Sequence, residues 1–340
     1  MPVKDFIKNT ELKNELFAAS PGHFLPLALE VFRFQYENSP VYRQYCDILR
    51  IDATAIDRLE SIPFLPIGFF KTHEIITRGT DPETIFESSG TTTSVNSRHL
   101  VGDIALYRKS FRTAFGKFYG QPEDKCILGL LPSYLERSDS SLVCMVDELI
   151  RESRHPLSGF YLYDLDKLHR TIMHNELLKQ PTLLIGVTYA LLDFAEQYPM
   201  RLQYTTVMET GGMKGRREEM TRQQVHAILQ QQFQVGLIHS EYGMTELLSQ
   251  AYSKGDGIFH CPGWMKVLVR DEDDPFRVSA ASAAINHPIT GPINIIDLAN
   301  LYSCSFIATD DIGRLHNNDR FEVLGRLDNS DIRGCSQLTA

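Results

Sequence analysis

No run in the sequence approaches the roughly 18 to 20 consecutive apolar residues that a membrane helix requires. The opening MPVKDFIKNTELKNELF is charged and lacks the apolar core of a signal peptide. No membrane span is therefore expected, and the cytoplasm is the expected location. Paired cysteines are missing too: Cys46, Cys126, Cys144, Cys261, Cys304 and Cys335 include no C-x-x-C pair, which argues against a zinc knuckle or a disulfide framework and for reduced thiols. His260 beside Cys261 supplies half of a metal site at most, with no second pair at ligand spacing. Positive charge is also short. A formal net charge of -9 argues against nucleic acid as a main partner, because phosphate-backbone binding needs a basic face.

What is present is enough apolar material for a sizeable core: 340 residues, 43% hydrophobic and 23% charged, which fits one large globular domain or two modest ones. Residues 1–80 read as a helical N-terminal region, with FLPLALEVFRFQY and VYRQYCDIL at roughly helical spacing. Within it, SIPFLPIGFFKTHEI (61–75) carries two prolines and several aromatics and reads as an extended segment crossing a surface. Residues 81–261 alternate short apolar runs (KCILGLL, GFYLY, TLLIGV, TTVMET, QVGLIHS) with helix-like stretches. That alternation predicts an α/β core with a parallel sheet covered by helices. Over 262–330 the helices stop and strand-like segments predict a β-rich subdomain, followed by a tail over 331–340.

In such a sheet, ligands bind beyond the carboxyl ends of the strands, and four loops have unusual chemistry. SSGTTT (88–93) offers hydroxyls and backbone N–H groups that can surround phosphate oxygens without a Walker lysine. ETGGMKG (209–215) brings Gly211 and Gly212, whose backbone can approach a flat ligand closely. In SEYGMTE (240–246), Tyr242 can stack on a base, Thr245 can bind phosphate and Glu246 can hold Mg²⁺. In ATDDIGR and the following GRLDNSDIRG, Asp311 can accept both hydroxyls of a ribose and Arg326 can pair with ribose or phosphate oxygens. Taken singly, the first loop reads more readily as a common Ser/Thr/Gly turn, and the second equally as a Gly-rich strand-to-helix turn.

Taken in order, the four loops resemble the adenylate-forming superfamily, and the strings IPFLPIGFFKT, LLPSYLERSDSSLVCM, GGMKGRREEM, HSEYGMTELLSQAYS and GRLDNSDIRGC look like LuxE-type acyl-protein synthetases. The resemblance covers the chain from about residue 40 onward. It implies the large-domain fold of that superfamily, ATP and Mg²⁺ as cofactors, and activation of a fatty acid as its acyl-adenylate. The acyl group would pass to a cysteine near the C-terminus, here Cys335, and on to a partner acyl reductase. Ser88, Ser89, Gly90, Thr91 and Thr92 would grip the β- and γ-phosphates; Gly211, Gly212, Met213, Tyr242 and Gly243 would frame the adenine; Asp311 and Arg326 would fix the ribose. Thr245 and Glu246 would act on the reacting phosphates, Glu246 through the metal.

Two departures from the superfamily pattern stand out. Thr93 replaces the second glycine of the phosphate loop and no lysine follows, with Arg98 the nearest cation. The sequence also ends at Ala340, without the small lid domain that normally follows the hinge aspartate. Two other readings stay open: a phenylacetate-CoA-ligase-like enzyme delivering to coenzyme A or a carrier protein, and a non-catalytic ATP-binding subunit of a reductase.

Overall fold

The computed structural model describes residues 10–17, 22–88, 95–132, 139–212, 217, 218, 220–281 and 287–327. Contacts gather these into two compact units. One holds the chain up to Thr113, the segment Met244–Gln250 and the part from His260 onward; the other holds Ala114–Gly243 and Ala251–Phe259.

In the first unit, the helix Phe24–Asn38 buries Phe24, Leu27, Ala28, Val31 and Phe32, the three-and-four spacing of a single apolar stripe. Gln35 shares that face and uses its buried amide fully: Nε2 donates to the Asn300 and Leu301 carbonyls at 3.0 and 2.9 Å, and Oε1 accepts from the Ser305 amide at 2.9 Å. The next helix, Pro40–Ile48, starts on a proline, where a missing N–H costs nothing. The segment 61–75 is only partly as expected. Leu65–Pro66 is extended and pairs in parallel with Ile307 and Ala308, but Phe69–Thr72 forms a helical turn. The segment does not cross a surface either: Ile62, Phe64, Leu65, Phe70 and Ile75 are buried, because its aromatics fill the core of this unit.

The predicted strands after residue 262 form an antiparallel array: Val278–Ala280, Met265–Arg270, Ile289–Asp297, Phe306–Leu315 and Arg320–Arg326 lie side by side in that order. Gly291 faces Gly313 across one pair of strands. A Cβ at Gly291 would lie 2.3 Å from the Arg270 carbonyl oxygen, so backbone occupies the space a side chain would need.

The second unit contains the parallel sheet. Gly159–Phe160, Cys126–Leu130, Thr182–Val187, Thr205–Thr210 and His239–Tyr242 run parallel in that order, and Ala251–Ser253 lies antiparallel beside His239–Tyr242. Cys126–Leu130 and Thr182–Val187 are buried at every position, as expected of strands covered on both faces. Helices between them have side-chain caps: Ser140 and Asp164 accept from Val143 and Lys167 amides, and Thr221 with Gln224 forms a reciprocal capping box. Two sequence boundaries shift. GFYLY is a strand only at Gly159–Phe160. In QVGLIHS the preceding helix runs to Phe233 and ends on left-handed Gln234, so the strand begins at His239. Among the described residues no helix is long and apolar enough to cross a membrane.

The packing at Gly291 gives a test of the antiparallel array. Gly291→Ala should lower the unfolding free energy by about 1–3 kcal/mol through overpacking, measured as a lower denaturant midpoint at unchanged slope. A midpoint equal to wild type would show that the two strands separate freely there.

Candidate active site

The strands Thr84–Glu87 and Arg98–Val101 form a hairpin in register, with Glu87 opposite Arg98. Its neck is closed by two serines: the Ser88 amide donates to the Ser97 carbonyl at 3.0 Å, and the Ser97 amide donates to the Ser88 hydroxyl at 2.8 Å. The Ser/Thr/Gly segment joins the two ends of this neck in sequence. Ser88 is thus placed at the loop's base, while Ser89, Gly90, Thr91 and Thr92 lie outside the described residues. Arg98, the cation nearest the loop in sequence, sits 3.5 Å from Glu87 and 3.9 Å from Glu74.

Glu246 lies in the same unit and is buried, with 6% of its surface exposed. Burial raises its carboxyl above the ordinary range and the Asp311 charge adds to this, while a hydrogen bond with the Ser97 side chain and the Arg326 charge oppose it. Ser97 therefore joins the neck of the loop to the carboxylate. The backbone of the turn is held from behind. His99 Nδ1 lies 2.8 Å from the Thr245 carbonyl, His99 Nε2 lies 2.9 Å from Asn300 Oδ1, and Asn300 Nδ2 donates to the Glu246 carbonyl at 2.8 Å. Asp297 holds the next residues, accepting from the Leu248 amide at 2.8 Å and the Ser249 hydroxyl at 2.6 Å. Burial pushes its carboxyl up to about 6 against these hydrogen bonds.

Asp311 and Arg326 are brought together by register, opposite one another on neighbouring strands. Arg326 is 3.8 Å from Asp311 and 3.7 Å from Asp310 and is 60% exposed, a loose pairing that leaves the guanidinium room to reorient. The bend before it is braced by Arg270, which donates to the Ile293 and Thr309 carbonyls at 2.9 and 2.7 Å. Among the described residues no three His, Cys, Asp or Glu side chains gather as a metal site. A single carboxylate fits Mg²⁺, which is typically bound through one or two carboxylates plus substrate phosphates and water.

Gly211, Gly212, Tyr242 and Gly243 belong to the second unit, at the carboxyl ends of parallel strands. Gly211 has φ +68°, a left-handed turn that glycine adopts without a Cβ penalty. The two glycines open onto a recess of about 360 Å³ that Thr188, Glu209, Met220, Arg222 and Val225 also line. Tyr242 is buried, its ring edge-on to Phe259 at 5.9 Å. Met213 and Cys335 lie outside the described residues. Cys261 and Cys304 are held protonated by burial, Cys304 with its thiol pushed up to about 12, which disfavours either as a reactive thiolate. Sequence reasoning missed Ser97, His99, Asp297 and Asn300. Ser97 and His99 stood immediately after the phosphate loop, but nothing local pointed to partners as far as 201 residues away.

Two buried glutamates in this unit titrate apart. Glu209 is held at about 2: burial pushes it up, but a hydrogen bond with His226 and the Arg222 charge outweigh it, the latter with Nε donating at 3.1 Å. Burial drives Glu241 up to about 7; the Thr210 hydroxyl bond opposes this and the Glu209 charge adds to it. A carboxyl raised in the folded state stabilises fully below its unfolded value near 4.5, and that contribution is lost as pH rises toward 7. Glu241→Gln, which keeps an acceptor for Thr210, should therefore gain stability over wild type between pH 5 and 8 by roughly 3 kcal/mol. Urea unfolding at both pH values checks this, and a difference independent of pH would contradict it.

Residues 22–132 match the family described as "Acyl-protein synthetase, LuxE". No curated protein matches the chain. Among solved structures, 2-hydroxyisobutyryl-CoA ligase in an open conformation with 2-HIB-AMP and CoA is similar at 12% identity and TM-score 0.64, over 90% of this chain and 69% of the ligase. The same ligase in its postadenylation state gives 13% identity and TM-score 0.62, over 97% and 69%. ATP-bound MatB from Rhodopseudomonas palustris gives 17% identity and TM-score 0.53, over 74% of this chain and 49% of MatB, so this chain spans about half of MatB's length. The fold is that of the adenylate-forming enzymes, as expected. Residues 22–132 are thus similar to LuxE acyl-protein synthetases, and the fold over most of the chain is similar to that of the CoA ligases.

Proposed function

We propose that this chain is an acid ligase that activates a carboxylic acid, a fatty acid in our reading, as its acyl-adenylate in the cytoplasm and then passes the acyl group to Cys335 for collection by an acyl reductase. The observation that carries the first step is the buried Glu246 carboxylate bonded to Ser97 at the neck of the Ser/Thr/Gly loop. A carboxylate so placed, out of water and bonded to the Ser97 that with Ser88 flanks the Ser/Thr/Gly segment in sequence, suits a nucleotide triphosphate that arrives with a cation.

In this reading an acid oxygen attacks the α-phosphorus of ATP, a P–O bond forms, and the bond to the bridging oxygen breaks as pyrophosphate leaves with the electron pair. Mg²⁺ held by Glu246 would supply neutralisation of that developing charge. Ser88, Ser89, Gly90, Thr91 and Thr92 support the departing pyrophosphate and Thr245 the α-phosphate. Asp311 and Arg326 orient the ribose, and Gly211, Gly212, Met213, Tyr242 and Gly243 receive the adenine. The Cys335 sulfur then attacks the acyl carbonyl carbon, AMP departs, and a thioester remains. The description of the matched family as acyl-protein synthetase supports a protein thiol over coenzyme A as acceptor.

The protein should exchange labelled pyrophosphate into ATP in the presence of Mg²⁺ and at least one acid from a panel of short, long and aromatic carboxylates. ATP binding without exchange on any of them would favour a non-catalytic nucleotide-binding subunit. Glu246→Gln should reduce exchange roughly a hundredfold while nucleotide binding changes little, and near-wild-type exchange would reduce Glu246 to a turn residue. Cys335→Ser should keep exchange and lose hydroxylamine-sensitive acyl labelling. Surviving label, or acyl-CoA formed with no second protein, would reassign the acceptor.

A further inference from the structure

We propose that His99 and Asn300 are positioning residues for the activation step: a buried bracket that fixes the Thr245–Glu246 turn against the hairpin carrying the phosphate loop. The inference rests on the acid-activation reading of the same site and adds two residues to it that no sequence motif marks.

His99 is fully buried, and each ring nitrogen lies within hydrogen-bond distance of an acceptor, the Thr245 carbonyl and Asn300 Oδ1, so that the neutral ring donates to one of them at a time while the Asn300 amide donates to the Glu246 carbonyl. Two successive carbonyls of one turn are thus held by one pair of side chains. His99 also lies on the hairpin strand, opposite Phe86 and two residues beyond Ser97, which itself reaches the Glu246 carboxylate. Backbone and side chain of Glu246 are therefore both referenced to the same short strand, by His99 through Asn300 and by Ser97 directly. Asn300 is fixed in turn: its amide donates that second bond, and its own carbonyl accepts from Gln35 at 3.0 Å.

The consequence is geometric. A carboxylate on a turn pivots about its backbone, and a displacement of about 1 Å at a reacting centre can cost on the order of a hundredfold in rate. With the bracket intact, the metal-holding carboxylate and the hairpin strand Arg98–Val101 keep one distance. Without it, Ser97 alone joins them. Neither His99 nor Asn300 needs to touch substrate for this, so the defect should appear in turnover and not in ATP affinity.

The test uses His99→Leu, which fills the site but makes neither contact, and His99→Asn, whose amide can reproduce the Nδ1 bond to Thr245. Asn300→Ser approaches the bracket from its other end. His99→Leu and Asn300→Ser should lower kcat for pyrophosphate exchange by roughly thirty- to a hundredfold with the KM for ATP within about threefold. His99→Asn should recover at least a third of the lost factor on a logarithmic scale. Amide hydrogen exchange read without substrate supplies an independent measure: the Leu247 and Leu248 amides should exchange at least tenfold faster in His99→Leu, with the parallel strands of the second unit unchanged. Unchanged kcat together with unchanged exchange at this turn would overturn the bracket, as would acceleration spread over the whole protein. If wild type activates no acid while the turn still loosens selectively in His99→Leu, the bracket is supported and the acid-activation reading falls alone.

Discussion

Glu246 is a carboxylate withdrawn from water, and the first unit is arranged around the cost of keeping it there. Burial raises its proton affinity, and Ser97, a backbone hydrogen bond and the Arg326 charge act in the opposite direction. A side chain in that position would ordinarily turn outward. It does not, because the turn that bears it is tied down on three sides: by His99 and Asn300 at its carbonyls and by Asp297 at the Leu248 amide and Ser249 hydroxyl. The ties continue into the core. The Trp264 indole N–H lies 2.9 Å from the Ser249 hydroxyl and 3.0 Å from that of Ser110, and the indole meets Phe17 edge-on at 4.9 Å. A polar site is thus fixed by a chain of satisfied hydrogen bonds ending in a fully buried aromatic, a support that holds functional groups more closely than loop packing alone.

The second unit handles its buried charge differently. Glu209 and Glu241 sit on neighbouring parallel strands, so both cannot ionise cheaply. Arg222 and His226 settle the matter by stabilising the negative charge on Glu209, and Glu241 responds by holding its proton to a higher pH. The recess beside Gly211 and Gly212 is therefore lined by a carboxylate already matched with a guanidinium. A cavity without isolated charge is better suited to a neutral planar ring, the group proposed there, than to a phosphate or a second carboxylate.

Much of this was legible from local pattern because the features concerned are local. Continuous apolar runs such as TLLIGV and TTVMET announced buried parallel strands, and they are found at those residues. The chemistry-bearing loops were legible for a related reason: Gly, Ser and Thr in a turn after a strand are visible without knowing what lies opposite. What was not legible depends on partners remote in sequence. The aromatics of 61–75 looked suited to a surface because the strand Phe306–Leu315, against which Leu65 and Pro66 pair, begins about 240 residues later. The late strand start in QVGLIHS has a different cause: the helix ends at Phe233 on left-handed Gln234, and the chain uses residues 235–238 to turn back before pairing begins at His239.

His99 shows most clearly why a site can hide in plain sequence. Placed in the short strand RHLV, whose last three residues are all buried, it reads as one more core residue, and burial alone would suggest a histidine kept neutral, as the drop of its pKa to about 4 requires. A neutral ring carries one N–H, so it can donate across only one of its two contacts at a time. Replacing it with an apolar residue would leave the buried Thr245 carbonyl or Asn300 Oδ1 short of its donor. Few other side chains could take its position between the strand Arg98–Val101 and the Thr245–Glu246 turn, because two polar atoms must stand apart on one rigid plane, and under the proposed function that plane is what would keep Glu246 at a set distance from the hairpin.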